Sequence, residues 1–325
     1  MVIPTLAADA RLQECVESLR RQTRRDFEVI IVDNSGQGLV RRNGAAPGAR
    51  VIENSRNAGF GAAMNQGLRA SGAPYLAALN DDAVPHPGWL DALVTALDRR
   101  PDAGMCASQV RLFGEDRLDS AGMLVARDGS SKQRGHGKLP ADFPEAEETL
   151  FPSGSAALYR RAMLEETGGF DDRFFLYCED TDLGLRARWK AWECVYVPEA
   201  VVEHRYSHSS AKASALKAYF VERNRILVVI RNFPVRALLI TPFHVVTRYF
   251  WHWNLKRKGK GIAASYEGDE AIASILFRAW RDALKRLPAA WRKRRQIQSG
   301  ARLSKKQFQK LLKLYRISSR EVASQ

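Results

Sequence analysis

The residues best suited to do chemistry lie between Gly168 and Trp189, in the run GGFDDRFFLYCEDTDLGLRARW. A glycine pair opens it. Phe170, Phe174, Phe175, Leu176 and Tyr177 then crowd around Asp171, Asp172, Glu179 and Asp180, with Asp182 just beyond. From Leu183 the pattern turns helical, with Leu183, Arg186, Ala187 and Lys190 at three- and four-residue steps. Carboxylates set in an aromatic wall at the mouth of a helix suit a general base or a metal ligand. The same acids would equally cap a helix and complement its dipole. The stretch alone leaves both readings open.

The elements that must position these acids form an alternating pattern. Val2–Leu6 (VIPTL) reads as a short strand, followed by a helix over about Ala10–Gln22 with Leu12, Val16 and Leu19 on one stripe. Phe27–Val32 is a near-continuous apolar run, as expected of a buried parallel strand, and ends at Asp33-Asn34-Ser35-Gly36. Arg50–Glu53 is another short strand. The glycine-punctuated NAGFGAAMNQG (Asn57–Gly67) then leads into a helix ending near Ala70. Tyr75–Leu79 is apolar and ends at Asn80-Asp81-Asp82, and Trp89, Leu90, Leu93, Val94 and Leu97 mark the next helix. Gly104–Val110 predicts a strand, residues to about Glu148 loops or a small hairpin, and Phe151–Tyr159 a strand entered through Gly154. A short helix at Arg161–Thr167, two strands at Cys194–Val197 and Ala200–His204, and a helix over Ala211–Asn232 complete this part, with Pro234 ending it. Such alternation predicts an α/β sheet. In open α/β sheets ligands bind beyond the carboxyl ends of the strands, where Pro4-Thr5, Asp33-Asn34 and Asp81-Asp82 all fall.

Charge divides the chain unevenly. Residues 201–325 hold 27 Lys+Arg and 7 Asp+Glu, against 24 and 29 in residues 1–200, so the basic surface lies in the last third. Ala237–Thr247 is 11 residues without a charged side chain, short of the roughly 20 that span a bilayer. Phe243, Tyr249, Phe250, Trp251 and Trp253 lie among Arg236, Arg248, Lys256, Arg257, Lys258 and Lys260. That mixture fits either a helix in the membrane interface, with an anionic membrane surface as partner, or a helical subdomain packing its aromatics internally. No motif accompanies the charge that would make nucleic acid the partner. Cys15, Cys106, Cys178 and Cys194 have no metal or redox spacing, which favours a reducing cytosol. Met1-Val2-Ile3-Pro4 does not begin as a secretory signal does. The expected location is cytoplasmic, or peripheral on the inner face of the cell membrane.

Taken in order, VIPTL, VDNS (Val32–Ser35), NAGFGAAMNQG, LNDDA (Leu79–Ala83), SGSA (Ser153–Ala156), GGFDDRFFLYCEDTDLGLR, His204 and the helical Arg223–Arg225 resemble the inverting family 2 glycosyltransferases. The nearest likeness is to bacterial rhamnosyltransferases that build cell-surface polysaccharide, and it covers about residues 2–232. The resemblance implies the GT-A nucleotide-diphospho-sugar transferase fold, a Rossmann-like mixed sheet flanked by helices, over residues 1–232. A basic helical region would occupy 233–325. It implies a nucleoside diphosphate sugar donor, dTDP- or UDP-linked, and a glycan or lipid-linked acceptor. Asp33 would receive the imide N–H of uracil or thymine, with Pro4, Thr5 and Asn34 lining the pocket. Asn57, Gly59, Asn65 and Asp81 would contact the donor, the glycines of that segment allowing close backbone approach. Asp82 would hold Mg²⁺ or Mn²⁺ at the diphosphate, with His204 as a second ligand. Asp180 would be the catalytic base, Glu179 and Asp182 its neighbours, and Gly154 and Ser155 acceptor or sugar contacts.

Two departures accompany the resemblance. Family members carry several more residues before the first strand, so either the start is misassigned or the strand is clipped. Arg188-Trp189 resembles the end of the QxxRW motif of processive relatives but lacks its Gln and comes too soon after Asp180, which implies transfer of one sugar. Rhamnose follows from the nearest likeness; galactose, galactofuranose and glucose are the alternatives. A nucleotidyltransferase would want a basic glycine-rich loop where Ala7-Ala8-Asp9-Ala10 stands. A non-catalytic nucleotide- or membrane-binding adaptor would have no need of Asp33, Asp82 and Asp180 together.

Overall fold

In the computed structural model, which describes residues 1–205, 214–266 and 270–324, the apolar runs of the first half become strands of one sheet. In chain order these are β1 (Val2–Thr5), β2 (Ile30–Asp33), β3 (Arg50–Glu53), β4 (Tyr75–Leu79), β5 (Ala83–Pro85), β6 (Ala103–Leu112) and β7 (Leu118–Ser120). Met123–Val125 (β8) and Ser131–Gln133 (β9) form a separate two-stranded sheet, and β10 (Glu147–Thr149), β11 (Ala156–Arg160) and β12 (Glu193–His204) return to the large one. Its order is β10-β12-β6-β11-β4-β1-β2-β3, with β5 on β12 and β7 on β6.

Pairing direction decides where the polar residues end up. β4, β1, β2 and β3 run parallel, and β11 lies antiparallel between β4 and β6, which makes β6 parallel to β4. β12 is parallel to β6. The carboxyl ends of β1, β2, β4 and β12 and the amino end of β11 therefore share one edge of the sheet. Thr5, Asp33, Asn80–Asp82, Ser155 and His204 are all delivered there. β7, antiparallel to β6 with Ser120 opposite Val110, brings Asp119 to the same edge.

Helices α1 (Ala10–Arg20), α2 (Leu39–Arg42), α3 (Phe60–Ala70), α4 (Trp89–Arg99), α5 (Arg161–Thr167) and α6 (Glu179–Trp189) follow the strands. The Asp9 carboxylate caps α1 by accepting from the N–H groups of Arg11 and Leu12. Leu12, Cys15, Val16 and Leu19 of α1 and Trp89, Leu90, Leu93, Val94 and Leu97 of α4 join Ile3, Ile31, Leu79 and Val202 in the core. Burial of side chains this large stabilises by roughly 1.5–3 kcal/mol each. The fully buried Trp89 indole satisfies its N–H on Ser108 Oγ at 2.8 Å.

The two strands expected at Cys194–Val197 and Ala200–His204 are one. Pro198-Glu199 reads as a break, but the structure absorbs it as a register shift between Val197 and Val201 in β12. This keeps His204 in register opposite Ala83 of β5, one residue after Asp82.

The chain forms two compact units, one of Met1–Gly122, Gln133–Ala187 and Trp192–Tyr206, the other of Met123–Lys132, Arg188–Ala191 and Ser207–Gln325. The expected division at residue 232 is thus not where the contacts divide. Helix α7 (Ala215–Asn232), expected to close the sheet domain, groups with the C-terminal helices; its predicted start at Ala211–Ala213 lies outside the described residues. Those helices are α8 (Val235–Arg257), α9 (Ile272–Lys285), α10 (Leu287–Ser299), α11 (Lys305–Leu314) and α12 (Ser319–Ser324). The reason is electrostatic. Buried Glu222 and Arg225 of α7 form a charge cluster with Asp128 and with Arg248 of α8, whose Nε donates to Asp128 and whose Nη2 donates to Glu222. Two guanidiniums and two carboxylates balance, and each alone would be costly to bury. The Trp189 ring, stacked on Phe308 at 3.9 Å, donates its N–H to the Asn232 carbonyl.

Close packing in the sheet unit gives a direct test. A Cβ on Gly67 of α3 would lie 2.1 Å from one methyl carbon of Val2 in β1 and 2.7 Å from the other. Gly67→Ala is expected to cost about 1–3 kcal/mol, read as a lowered melting temperature by circular dichroism. Adding Val2→Ala should recover part of the loss.

Candidate active site

At the end of β4 the chain turns through Asn80, Asp81 and Asp82, and the side chains go to different tasks. Asp81 accepts from Thr5 Oγ1 at 2.5 Å, which ties the end of β1 to the end of β4. Burial, with the neighbouring Asp82 charge, raises the Asp81 pKa to about 6 despite that hydrogen bond. Asp82 is buried, and its Oδ1 has no hydrogen-bond partner among the described residues. That oxygen lies 3.3 Å from Nε2 of His204, which is also within 3.2 Å of the Asn80 amide nitrogen.

The other ring nitrogen of His204, Nδ1, is 2.8 Å from Asp119 Oδ2. Burial disfavours a charged imidazole, but the hydrogen bond to Asp119 and the nearby carboxylates of Asp119 and Asp82 outweigh it and hold the His204 pKa at about 10. Burial likewise works against the Asp119 carboxylate, yet hydrogen bonds from His136 and His204 keep its pKa below the ordinary value. An orphaned, buried carboxylate oxygen beside an imidazole anchored through its far nitrogen is a fitting donor pair for a divalent cation, provided the cation displaces the Nε2 proton. Among the described residues no three His, Cys, Asp or Glu side chains are arranged to hold a metal ion by themselves, so a bound ion would need oxygens from a ligand to complete its shell.

The second half of the site begins at α6. Glu179, Asp180 and Asp182 all fall in its first turn, where carboxylates complement the helix dipole. Their surroundings differ. Asp180 is half-buried; Oδ2 accepts from the Gly154 N–H at 3.2 Å and Oδ1 from the Thr181 N–H at 2.6 Å. Burial raises its pKa above the ordinary carboxylate value, against the pull of these hydrogen bonds. Glu179 is buried with Oε2 unpartnered, and burial, then the Asp180 charge, push its pKa well up. Asp182 is fully buried in an ion pair with Arg186 Nε at 2.7 Å. That guanidinium also donates to the carbonyls of Thr167 and Gly169.

The loop before α6 is held in an unfavourable conformation. Phe175, Tyr177 and Cys178 have φ of 65°, 66° and 67°, a region costing non-glycine residues about 1–2 kcal/mol each. What holds it is α3: the Phe60 N–H donates to the Phe175 carbonyl at 2.9 Å. Gly59 passes so close that a Cβ there would lie 2.2 Å from that oxygen. Asn65 completes the tie, with Oδ1 accepting from the Phe170 N–H and Nδ2 donating to the Phe170 carbonyl and Asp172. Phe170 packs edge-on against Phe60 and Tyr159.

Several expected contacts therefore change. Gly59 lies against the Phe175 carbonyl of the strained loop, and Asn65 spends its amide on Phe170 and Asp172. Asp182 braces Thr167–Gly169 instead of touching a sugar, since the i, i+4 pair with Arg186 turns it inward. Asp33 accepts from the N–H groups of Ser35 and Val40, one on each oxygen, and is 1% exposed. It organises the loop after β2 and keeps one lone pair per oxygen in reserve. The Asn34 amide oxygen accepts from Asn54 and the Ala58 N–H, whereas Asn57 is exposed and uses its Oδ1 on the Gly59 N–H. Pro4 is half-buried in β1 opposite Val32.

The structure does bring the two halves together, through Ser153–Ala156. The Ser155 carbonyl accepts from the Asn80 N–H at 2.9 Å, and one residue earlier the Gly154 N–H holds Asp180. Sequence reasoning missed Asp119 and His136. They fall in a stretch predicted only as loops or a hairpin, and the 85 residues between Asp119 and His204 carry no spacing signal.

An α/β sheet with these acids along one strand edge has the architecture of the GT-A glycosyltransferases, and solved structures share the fold. GalNAc-T7 with UDP, GalNAc and Mn²⁺ superposes with a TM-score of 0.56 at 14% identity, over 87% of this chain and 54% of that one. The mannosyltransferase PcManGT from Pyrobaculum calidifontis, with GDP-Man and Mn²⁺, gives 0.50 at 18% identity over 92% and 84%. The chain belongs to glycosyl transferase family 2, whose profile matches residues 1–168. The N-acetylglucosaminyl-diphospho-decaprenol L-rhamnosyltransferase of Mycobacterium tuberculosis, from strains CDC 1551 / Oshkosh and ATCC 25618 / H37Rv, is 32% identical over 254 residues, 67% of this chain and 80% of the relative. The protein is a glycosyltransferase.

The buried Glu179 carboxyl makes stability depend on pH. Its pKa is raised on folding, so above the ordinary glutamate value the unfolded state loses the proton more readily and stability falls as pH rises. Glu179→Gln removes that penalty. Its melting temperature is expected to exceed the parent's by a few degrees at pH 8, about 1–3 kcal/mol, and the gap should shrink towards pH 4. A gap independent of pH would show that Glu179 does not carry it.

Proposed function

We propose that the enzyme transfers one sugar, with inversion, from a nucleoside diphosphate sugar to a hydroxyl of a cell-surface glycan or lipid-linked acceptor, and that the donor is dTDP-rhamnose. The observation that carries the reading is the seating of Asp180 on the Gly154 N–H, one residue from the carbonyl that holds Asn80 next to Asp82 and His204. A base and a diphosphate-binding edge are thus built on one short segment. The relatives' activity toward N-acetylglucosaminyl-diphospho-decaprenol supports both the sugar and a lipid-linked acceptor.

In this reading Asp180 accepts the acceptor's hydroxyl proton as the oxygen attacks the anomeric carbon. The new carbon–oxygen bond forms as the bond to phosphate breaks, and the electron pair leaves with the nucleoside diphosphate. The raised pKa of Asp180 makes it a stronger base than an exposed aspartate while it remains ionised above that pKa. Asp82 and His204 would hold Mg²⁺ or Mn²⁺, which neutralises charge on the departing diphosphate. Asp119 fixes the ring so that Nε2 points to Asp82. The lone pairs left on Asp33 suit the imide N–H of thymine or uracil, and Gly154 and Ser155 border the acceptor beside Asp180. The half-buried Phe175, Leu176 and Tyr177 would limit water that hydrolyses the donor.

Asp180→Asn is expected to lower transfer by about 10²–10⁴-fold while calorimetric binding of dTDP changes little; full transfer would refute the base assignment. Asp82→Ala should weaken dTDP binding in the presence of Mn²⁺ and abolish the response to the metal. Asp119→Ala should weaken Mn²⁺ binding about 10–100-fold in a spin-resonance titration with dTDP present. Metal-free dTDP binding should stay unchanged.

A further inference from the structure

Between its two ends helix α8 presents its one charged residue, Arg248, to the interior and its apolar residues to solvent, the reverse of an ordinary surface helix. Arg248 is buried, and its bonds to Asp128 and Glu222 fix the rotation of the helix. Thr241, also buried, lies on the same inward side. The outward face carries Val235, Leu239, Phe243, Val246, Phe250 and Trp253, at steps of three and four residues. Leu239, Phe243 and Val246 are 78%, 70% and 68% exposed. From Val235 to Trp253 this makes a continuous stripe about 27 Å long. A soluble monomer rarely leaves such a stripe without an occupant.

Charge identifies the occupant. Arg236 is exposed at the first turn, and Lys256, Arg257, Lys258 and Lys260 are exposed at the other end. No Asp or Glu occurs between Phe233 and Tyr266. Trp253, next to that basic end, lies under the Arg257 guanidinium at 4.9 Å. Apolar length, a tryptophan near the end and cations at both ends match a helix lying in the plane of an anionic bilayer surface. Among the described residues no helix is long and apolar enough to cross a membrane, and Arg248 and Pro242 within α8 fit an in-plane position. A second copy of this chain is a poor occupant: two such faces would bring cations together with no acid between them.

We propose that the outward stripe of α8 docks the protein on anionic lipid, with Phe243 and Phe250 entering the acyl boundary and the terminal cations contacting headgroups. The proposal rests on the exposure and charge of this helix and is independent of the sugar and acceptor assignments. The test is co-sedimentation of the full chain with vesicles of phosphatidylcholine alone and with about 30% phosphatidylglycerol. The parent is expected to bind the anionic vesicles and to bind the neutral ones much less. Phe243→Ser/Phe250→Ser should lose about tenfold or more of the binding with unchanged circular dichroism and donor hydrolysis. Lys256→Gln/Lys258→Gln/Lys260→Gln, which leaves the apolar face intact, should weaken anionic binding and flatten its salt dependence. Binding by both variants equal to the parent would overturn the proposal, as would absence of parental binding. A parental dimer that Phe243→Ser/Phe250→Ser converts to monomer would assign the face to a second copy instead.

Discussion

Two hydrogen bonds made by main-chain groups of adjacent residues hold the candidate site together. The Ser155 carbonyl takes the Asn80 N–H, and the Gly154 N–H goes to the Asp180 carboxylate. The first fixes the strand end that carries Asp82; the second fixes the start of α6. Because both partners hang on adjacent residues entering β11, a shift in one half is felt by the other. Gly154 packs between the two halves: a Cβ there would sit in ordinary contact with the Phe60 ring at 3.4 Å and the Asp180 Cβ at 3.6 Å. The geometry thus comes from main-chain groups and close packing, and side chains only occupy the places so defined.

Much of this was legible beforehand, because β-strand polarity follows from crossover connections and polar strand ends are easy to see. The edge holding Thr5, Asp33, Asp82 and His204 follows from strands alternating with helices. What stayed hidden depends on distant pairing or on which way a side chain points. Asp119 reaches His204 only because β7 folds back on β6, and β7 is three residues long with weak apolar signal. Asn65 and Gly59 looked like ligand contacts because glycine and amide suit a donor pocket, yet Gly59 lies against Phe175 and Asn65 bonds Phe170 and Asp172. Asp182 was the readable miss, since Arg186 four residues on is the natural helical partner for a carboxylate.

Charge is buried in two different ways in the two units. Around His204, Asp119 is held by both His204 and His136, whereas Asp82 keeps an oxygen with no hydrogen-bond partner among the described residues. Around Glu222 the count closes, and Trp280 adds its indole N–H to the carboxylate. The orphaned oxygen is what the proposed cation would satisfy, whereas the paired cluster serves as a fixed strut.

The strut also sets an order of events during synthesis. Asp128 is made 120 residues before its partner Arg248, and Trp189 waits 119 residues for Phe308. Domains generally fold as they leave the ribosome, amino-terminal part first. Here the hairpin carrying Asp128 interrupts the sheet unit long before the helices that complete it exist. A chain interrupted before α8 would hold Asp128, Glu222 and Arg225 without Arg248, two carboxylates against one guanidinium. Synthesis of α8 is therefore the step that closes the cluster.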